Sequence, residues 1–151
     1  MKFFNTAYVL LVFLFTVTSV SAAEKTVVCS GKRVFKNNEV VVREVSEPIE
    51  FLIDAKTGKV KDPTEIFDVC SSLLPEHTAE CSCVTSEKFI ECESKNQVNF
   101  STEKTSTVSS YKLNRFNGFA TFTHLAHGTL GVTIGTGELK CEVVEHRSKL
   151  F

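Results

Sequence analysis

The chain has 151 residues and a formal net charge of −1, from 17 basic and 18 acidic side chains. This balance argues against a nucleic-acid-binding protein, because that function needs an excess of basic residues on one face to neutralise phosphates. We therefore expect no nucleic-acid partner.

The N-terminal segment, residues 1–22, has the pattern of a cleaved signal peptide. Lys2 supplies a positive charge, residues 7–20 are mainly apolar, and small residues occupy positions 21–23, an order typical of secretory signals. A retained membrane anchor is less consistent, because the apolar stretch is shorter than the roughly 20 residues that a spanning helix needs. Cleavage after residue 22 or 23 would give a secreted or periplasmic protein, no longer associated with a membrane, in which residues 23–151 form one domain.

The densest group of basic residues follows soon after and comprises Lys32, Arg33 and Lys36. Glu39 and Glu44 come next, so charges of both signs are interleaved. We interpret the group as the solvent-exposed face of a strand, not as a patch that binds polyanions.

Short runs of alternating apolar and polar residues occupy much of the remaining chain. Alternation with a period of two is typical of β-strands that bury one face. The predicted strands are residues 40–45, 49–53, 107–113, 119–123 and 139–143. Polar runs at residues 36–38, 94–96 and 101–104 are predicted to be loops. The sequence therefore predicts an all-β fold, mainly an antiparallel barrel or sandwich.

Two short stretches share a turn pattern, in which Asp54 or Asn114 stands four residues before Gly58 or Gly118. An Asp or Asn side chain can accept hydrogen bonds from the following backbone, and glycine adopts the positive φ that closes a hairpin. The similarity is explained equally well by an internal duplication or by convergent turn chemistry.

One short helix is predicted near residues 63–74. Asp62 is a suitable N-cap, Pro63 is a favoured first helical residue, and Glu65 can complete a capping box. Apolar residues then recur at helical spacing until a proline ends the run. We expect this helix to pack on the sheet with Cys70 as its anchor.

All six cysteines lie beyond residue 23, and their even number in an exported chain predicts three disulfide bonds in an oxidising compartment. They are Cys29, Cys70, Cys81, Cys83, Cys92 and Cys141. A zinc site is less consistent, because no two of them have the Cys-x2-Cys spacing of zinc fingers. We expect neither a metal nor a cofactor.

Six cysteines allow 15 connectivities, but a local hairpin narrows the choice. If residues 81–92 form a hairpin with its turn at residues 87 and 88, Cys83 faces Cys92 at a spacing that suits a disulfide. Cys81 then has Cys70 as its nearest remaining partner in the sequence. The predicted pairs are therefore Cys83 with Cys92, Cys70 with Cys81, and Cys29 with Cys141.

His124 and His127 are the only closely spaced histidines. Residues three apart on a strand point to opposite faces, so we expect an exposed hairpin tip and no shared metal ion. The glycine-rich stretch 128–137 lacks the Gly-Lys-Ser/Thr ending of a phosphate-binding loop, and tightly turning or bulged strands explain it better.

No complete catalytic arrangement is present, since the chain has no Gly-x-Ser-x-Gly motif and every cysteine is expected to be paired. We therefore expect a non-catalytic binding protein for a protein partner or a small apolar ligand. Phe116 either marks a binding loop or folds back onto its own hairpin, because a large apolar residue is otherwise badly placed at a turn. The candidate binding residues are Phe116, Asn117, His124, His127 and Lys88.

Two other functions compete with this hypothesis. A secreted inhibitor of a hydrolase would present a rigid loop, for which the hairpin tip at Glu87 and Lys88 is the candidate. A metal-dependent enzyme is the least supported, because it would require His124 or His127 to lie beside an acid in a pocket.

Overall fold

The computed structural model describes residues 24–71, 77–99 and 104–144, which form eight β-strands and two 3-10 turns. The strands are β1 (Glu24–Asn37), β2 (Val40–Val45), β3 (Ile49–Asp54), β4 (His77–Thr85), β5 (Phe89–Asn99), β6 (Lys104–Asn114), β7 (Phe119–Gly128) and β8 (Gly131–Val144). Every strand pairing is antiparallel. The predicted all-β class is confirmed.

The eight strands form one open sheet, not the expected barrel or sandwich. β1 pairs along one edge with β3 through its first half and with β2 through its second half. Its other edge pairs with β8, and the order continues through β7, β6 and β5 to β4. The alternation of residues predicts which face a strand buries, but it contains no information on whether the two outer strands meet.

The sheet is strongly curled, so residues on distant strands touch across its concave face. Phe51 on β3 and Tyr111 on β6 are four strand spacings apart in the sheet order, which is roughly 19 Å in a flat sheet. Their ring centroids are nevertheless only 6.1 Å apart. The curl therefore gives a single sheet an interior.

One end of the concave face is a tightly packed core. Phe51 is fully buried, and Leu139, Ile90 and Leu113 are at most 4% exposed. The Cys29–Cys141 disulfide joins β1 to β8 within the same cluster. We call this cluster of Cys29, Phe51, Ile90, Leu113 and Leu139 the packed end.

The segment between β3 and β4 forms two 3-10 turns, Pro63–Glu65 and Asp68–Ser71, where the sequence predicts a helix. Ile66 and Phe67 lie between the turns and are both buried against the concave face. A continuous α-helix would direct such neighbours about 100° apart, so it could not bury both equally well. The predicted short helix is therefore present up to residue 71 as two 3-10 turns and not as one continuous α-helix. Its last residues lie outside the described ranges.

The start of this segment follows the predicted capping chemistry. The Asp62 carboxylate accepts a hydrogen bond from the backbone N–H of Thr64 at 2.8 Å. The Thr64 hydroxyl donates to the same oxygen at 2.7 Å. This bond, and after it the backbone bond, lowers the pKa of Asp62, because both favour the charged carboxylate. No bond from Glu65 completes a capping box among the hydrogen bonds of the described residues.

Three disulfide bonds are present, as predicted, and all six cysteines are bonded. They join Cys29 to Cys141, Cys70 to Cys81, and Cys83 to Cys92, the same pairs that the hairpin argument favours. The Cys70–Cys81 bond joins the second 3-10 turn to β4, an outer strand of the sheet. It thereby anchors residues 62–71, which lie over the concave face and which we call the covering segment.

The two turns with matching sequence have matching hydrogen bonds. Asp54 and Asn114 each accept bonds through a side-chain oxygen from the backbone N–H groups two and three residues later. Gly58 and Gly118 both have a φ of 69°. The shared turn chemistry is thus present in the structure.

Candidate functional site

Inward-facing residues of neighbouring strands line up in rows across the concave face, because opposed residues of antiparallel strands point to the same side. The first row is Val45, Arg33, Gly137, Phe122, Tyr111, Cys92 and Cys83. The second row is Arg43, Phe35, Gly135, His124, Ser109, Ser94 and Cys81. These two rows lie beyond the packed end.

Much of these two rows forms the floor of a cavity of about 710 Å³, within the usual size range of small-molecule sites. Ile66, Phe67 and Val69 of the covering segment form one wall. The mouth carries the exposed carboxylates of Glu47, Glu50, Glu65 and Asp68. We call this region the cavity end.

Two glycines of β8, Gly135 and Gly137, leave room on the concave face for the side chains of neighbouring strands. A methyl group at Gly135 would lie 2.8 Å from the Phe35 ring and 2.9 Å from Cβ of His124. One at Gly137 would lie 2.9 Å from Cγ of Arg33. Because these positions have no side chain, Phe35 and Arg33 can extend from β1 across β8. The glycine-rich stretch therefore provides space beneath two large side chains.

Arg33 is the most unusual residue of the floor, because it is charged and only 7% exposed. One terminal nitrogen donates to the Tyr111 hydroxyl at 2.8 Å, and the other donates to the backbone carbonyl of Glu47 at 2.7 Å. Its guanidinium carbon lies 5.8 Å from the centroid of the Phe122 ring. The buried Nε has no hydrogen-bond partner among the described residues.

Tyr111 lies at the junction of the packed end and the cavity end and is 4% exposed. Its ring centroid is 4.9 Å from that of Phe122 and 5.6 Å from that of Phe67. Burial raises the pKa of the Tyr111 hydroxyl, although the nearby Arg33 opposes this effect. The hydroxyl is therefore protonated at neutral pH.

His124 faces the cavity and pairs with Ser109, whose hydroxyl lies 2.8 Å from Nδ1 of the imidazole. Burial lowers the pKa of His124, so the ring is mainly neutral at pH 7. No carboxylate is hydrogen-bonded to this ring among the described residues. A Ser–His pair without such an orienting group lacks the third member of a catalytic triad.

The remaining candidate residues lie outside the cavity. His127 is exposed near the far end of β7. Phe116 is 74% exposed and does not fold back onto its hairpin. The side chain of Asn117 is used within its own turn, where it accepts a bond from the backbone N–H of Phe119 at 3.0 Å. None of these three residues therefore shares the cavity with His124.

Lys88 lies at the tip of the β4–β5 hairpin, next to the turn that contains Phe116. The backbone N–H of Arg115 donates to the Lys88 carbonyl at 2.9 Å. The Arg115 guanidinium donates to the carbonyls of Ser86 and Glu87 at 2.7 and 3.3 Å. One arginine therefore holds two hairpin tips together.

The interpretation of the basic cluster as an exposed face is wrong for Arg33. Lys32 and Lys36 are exposed, but Arg33 points inward because successive strand residues face opposite sides. A signal was present in the sequence: Arg33 is an even number of residues from Cys29, which must point inward to reach Cys141. The sequence patterns also did not identify Phe35, Tyr111 and Phe122 as residues of the site.

Two further structural observations concern the described ranges. Nowhere in residues 24–71, 77–99 and 104–144 do three His, Cys, Asp or Glu side chains come together so as to hold a metal ion. Within the same ranges, no helix has the length and apolar character needed to cross a membrane.

The cavity with Arg33 at its floor is the feature from which a function can be argued. It combines a concave space, aromatic walls and a buried charge, which are properties of ligand sites. Comparisons with models of protein families, with curated proteins and with solved structures found no match for this chain.

Proposed function

We propose that this chain is a non-catalytic binding protein that holds a small molecule with an apolar body in the cavity. The observation that carries this proposal is a cavity of about 710 Å³ bordered by four aromatic side chains. They are Phe35, Phe67, Tyr111 and Phe122. Aromatic rings that border a concave space of this size are typical of ligand sites.

The choice of small residues supports the proposal. A curled sheet can fill its interior with large side chains, as the packed end does. The second row instead has Gly135, Ser109 and Ser94 at inward positions. Space is therefore left between the floor and the covering segment, and an apolar ligand placed there is stabilised by roughly 25 cal/mol for each Å² removed from water.

The proposal is tested by titration with N-phenyl-1-naphthylamine, a neutral apolar dye that fluoresces strongly out of water. We expect saturable binding of one dye per protein. Ser109→Phe should abolish binding by filling the cavity, whereas Ser110→Phe should not, because Ser110 bonds to Thr123 on the opposite face. Absence of binding to the native protein, or equal loss in both variants, would contradict the proposal.

We also propose that residues 1–22 are a cleaved signal peptide and that the protein acts outside the cell or in the periplasm. The three disulfide bonds support an oxidising compartment. The intact mass of protein recovered from an exporting host should show the loss of 22 or 23 residues and six thiols only after reduction. A full-length mass with free thiols in the native protein would exclude export.

A second function is favoured by one observation, the bracing of the β4–β5 hairpin tip. The Cys83–Cys92 bond closes this hairpin from one side, and Arg115 holds its carbonyls from the other. A rigid loop presenting Lys88 suits inhibition of a trypsin-like hydrolase. Trypsin should then be inhibited by the native protein and not by Lys88→Ala; cleavage after Lys88 without inhibition would reject this function.

A further inference from the structure

Resting on the proposed binding function, we propose that the ligand carries a carboxylate group and that the Arg33 guanidinium binds it at the floor of the cavity. Arg33 is 7% exposed and lines the cavity. The ligand is thus an amphipathic monoanion, with its charged end inside and its apolar body along the aromatic wall.

The first step is the absence of an internal counter-ion. Five ion pairs occur among the described residues, and the cation in each of them is a lysine on the surface. No described carboxylate oxygen lies within the 4.0 Å ion-pair limit of Arg33. A buried charge without a counter-ion is strongly unfavourable, so an anion that enters the cavity gains a partner of opposite charge.

The second step is the number of free donors. A guanidinium has five N–H groups, and Arg33 has two acceptors, the Tyr111 hydroxyl and the Glu47 carbonyl. Both acceptors are neutral, and the buried Nε has none among the described residues. A carboxylate matches the planar fork of a guanidinium through two parallel bonds, which makes it better suited than a hydroxyl or an amide.

Tyr111 supplies another donor at the same place. Its oxygen accepts the bond from Arg33, and no described acceptor receives the proton of this hydroxyl. Because burial keeps the hydroxyl protonated, it can donate to the same carboxylate. Two groups that can donate to one carboxylate thus lie 2.8 Å apart on the floor.

The acidic mouth restricts the ligand further. Glu47, Glu50, Glu65 and Asp68 are exposed. None of their carboxylates lies within ion-pair distance of Arg33. They do repel a second negative charge at the mouth, which is why a monoanion is favoured over a dianion.

The test compares three naphthalene compounds that differ in their polar end: 1-naphthylacetate, 2-(1-naphthyl)ethanol and 2-(1-naphthyl)ethylamine. Calorimetric titration at pH 7.5 should show the carboxylate binding at least about tenfold more tightly than the alcohol, because bonds to a charged group are the stronger ones. The amine should bind most weakly. If the carboxylate and alcohol bind equally, the inference is overturned while the binding function stands; if none binds, the binding function itself fails.

Arg33→Met should bring the affinities for the carboxylate and the alcohol to within about twofold of each other. Arg43→Met is the matched control, because Arg43 lines the same cavity but is exposed. This control should keep the tenfold preference. If both variants lose the preference, it comes from the general positive charge near the cavity and not from Arg33, and the inference is overturned.

The folding of the Arg33 variants is measured by urea titration. Methionine has a similar length and removes a buried charge that has no counter-ion, so Arg33→Met should fold. Should it not fold, Arg33→Lys provides the second measurement. Lysine keeps the charge but not the planar fork, so the preference should fall without disappearing; an unchanged preference would contradict the role given to Arg33.

Discussion

The packed end and the cavity end are built from the same curled strands, yet they differ in what the inward positions hold. At the packed end, Phe51 and Leu139 are at most 1% exposed and fill the interior. At the cavity end, Gly135 and Ser109 occupy inward positions two rows beyond the row of Leu139. The cavity is therefore made by small residues, without any change of backbone architecture.

The difference indicates a division of roles along the strands. The packed end carries the larger part of the free energy of folding, because it removes whole aliphatic and aromatic side chains from water. The cavity end leaves one arginine incompletely bonded and buries less apolar surface, so it contributes less to stability. Substitutions at the two ends should therefore separate stability from ligand binding.

The largest effect is expected from the disulfide of the packed end. The Cys29–Cys141 bond spans 112 residues and the Cys83–Cys92 bond spans 9. In the chain-entropy model, the double alanine variant of the first pair should lose about 5 kcal/mol of unfolding free energy and that of the second about 2.5 kcal/mol. Urea titration measures both losses. Equal losses would contradict the expectation that the bond closing the longer loop stabilises the protein more.

A smaller effect separates two phenylalanines. Phe51→Ala should lower the unfolding free energy by about 3–5 kcal/mol, the usual cost for a buried ring, and leave the affinity for the naphthylamine dye unchanged. Phe35→Ala should lower it by less than half as much, because Phe35 is only partly buried. Phe35→Ala should also lower the affinity for the dye several-fold. The reverse order in either measurement would remove the distinction between the two ends.

Gly135→Ala tests the space beneath Phe35. The added methyl group would lie 2.8 Å from the ring, so Phe35 has to move into the cavity at a cost of about 1–3 kcal/mol. Dye affinity should fall as well. Gly128→Ala is the matched control on the neighbouring strand, because its nearest contact would be an ordinary 3.6 Å to Thr105. The two variants are compared by urea and dye titration, and equal behaviour would show that the close contact is unimportant.

The smallest effect concerns His124. Burial holds its pKa in the folded protein below the unfolded value, so the neutral ring stabilises the fold above the unfolded pKa, and this contribution is lost as pH falls through the folded pKa. Stability should decrease between pH 7.5 and 5, and His124→Asn should flatten this dependence. His127→Asn should not, because His127 is exposed. The measurement is urea titration across the pH range.

Local sequence patterns were sufficient for parts of several strands and for the Cys83–Cys92 disulfide bond. A hairpin centred on residues 87 and 88 brings Cys83 opposite Cys92 by counting alone, and the structure has this register. Alternation likewise predicted the start of β2 and β3 correctly. These features depend on residues close in sequence, for which strand geometry provides a firm rule.

The cavity could not be predicted in the same way. Residues 94–96 were predicted to be a loop, but they lie within β5, because polar side chains such as Ser94 face the rows at the cavity end. The floor also combines Arg33, Gly137 and Tyr111 from three strands, and their alignment depends on the register of each pairing. The open sheet could not be predicted for the same reason, because closure depends on the curvature of all eight strands together.

The position of Tyr111 gives the protein a built-in optical label. The chain has no tryptophan and two tyrosines, Tyr8 and Tyr111. Once the N-terminal 22 residues are removed, Tyr111 is the sole phenolic chromophore, and it lies on the cavity floor next to Arg33. Tyrosine emission of the unlabelled protein therefore reports on this one location, so occupation of the cavity can be followed without any added dye.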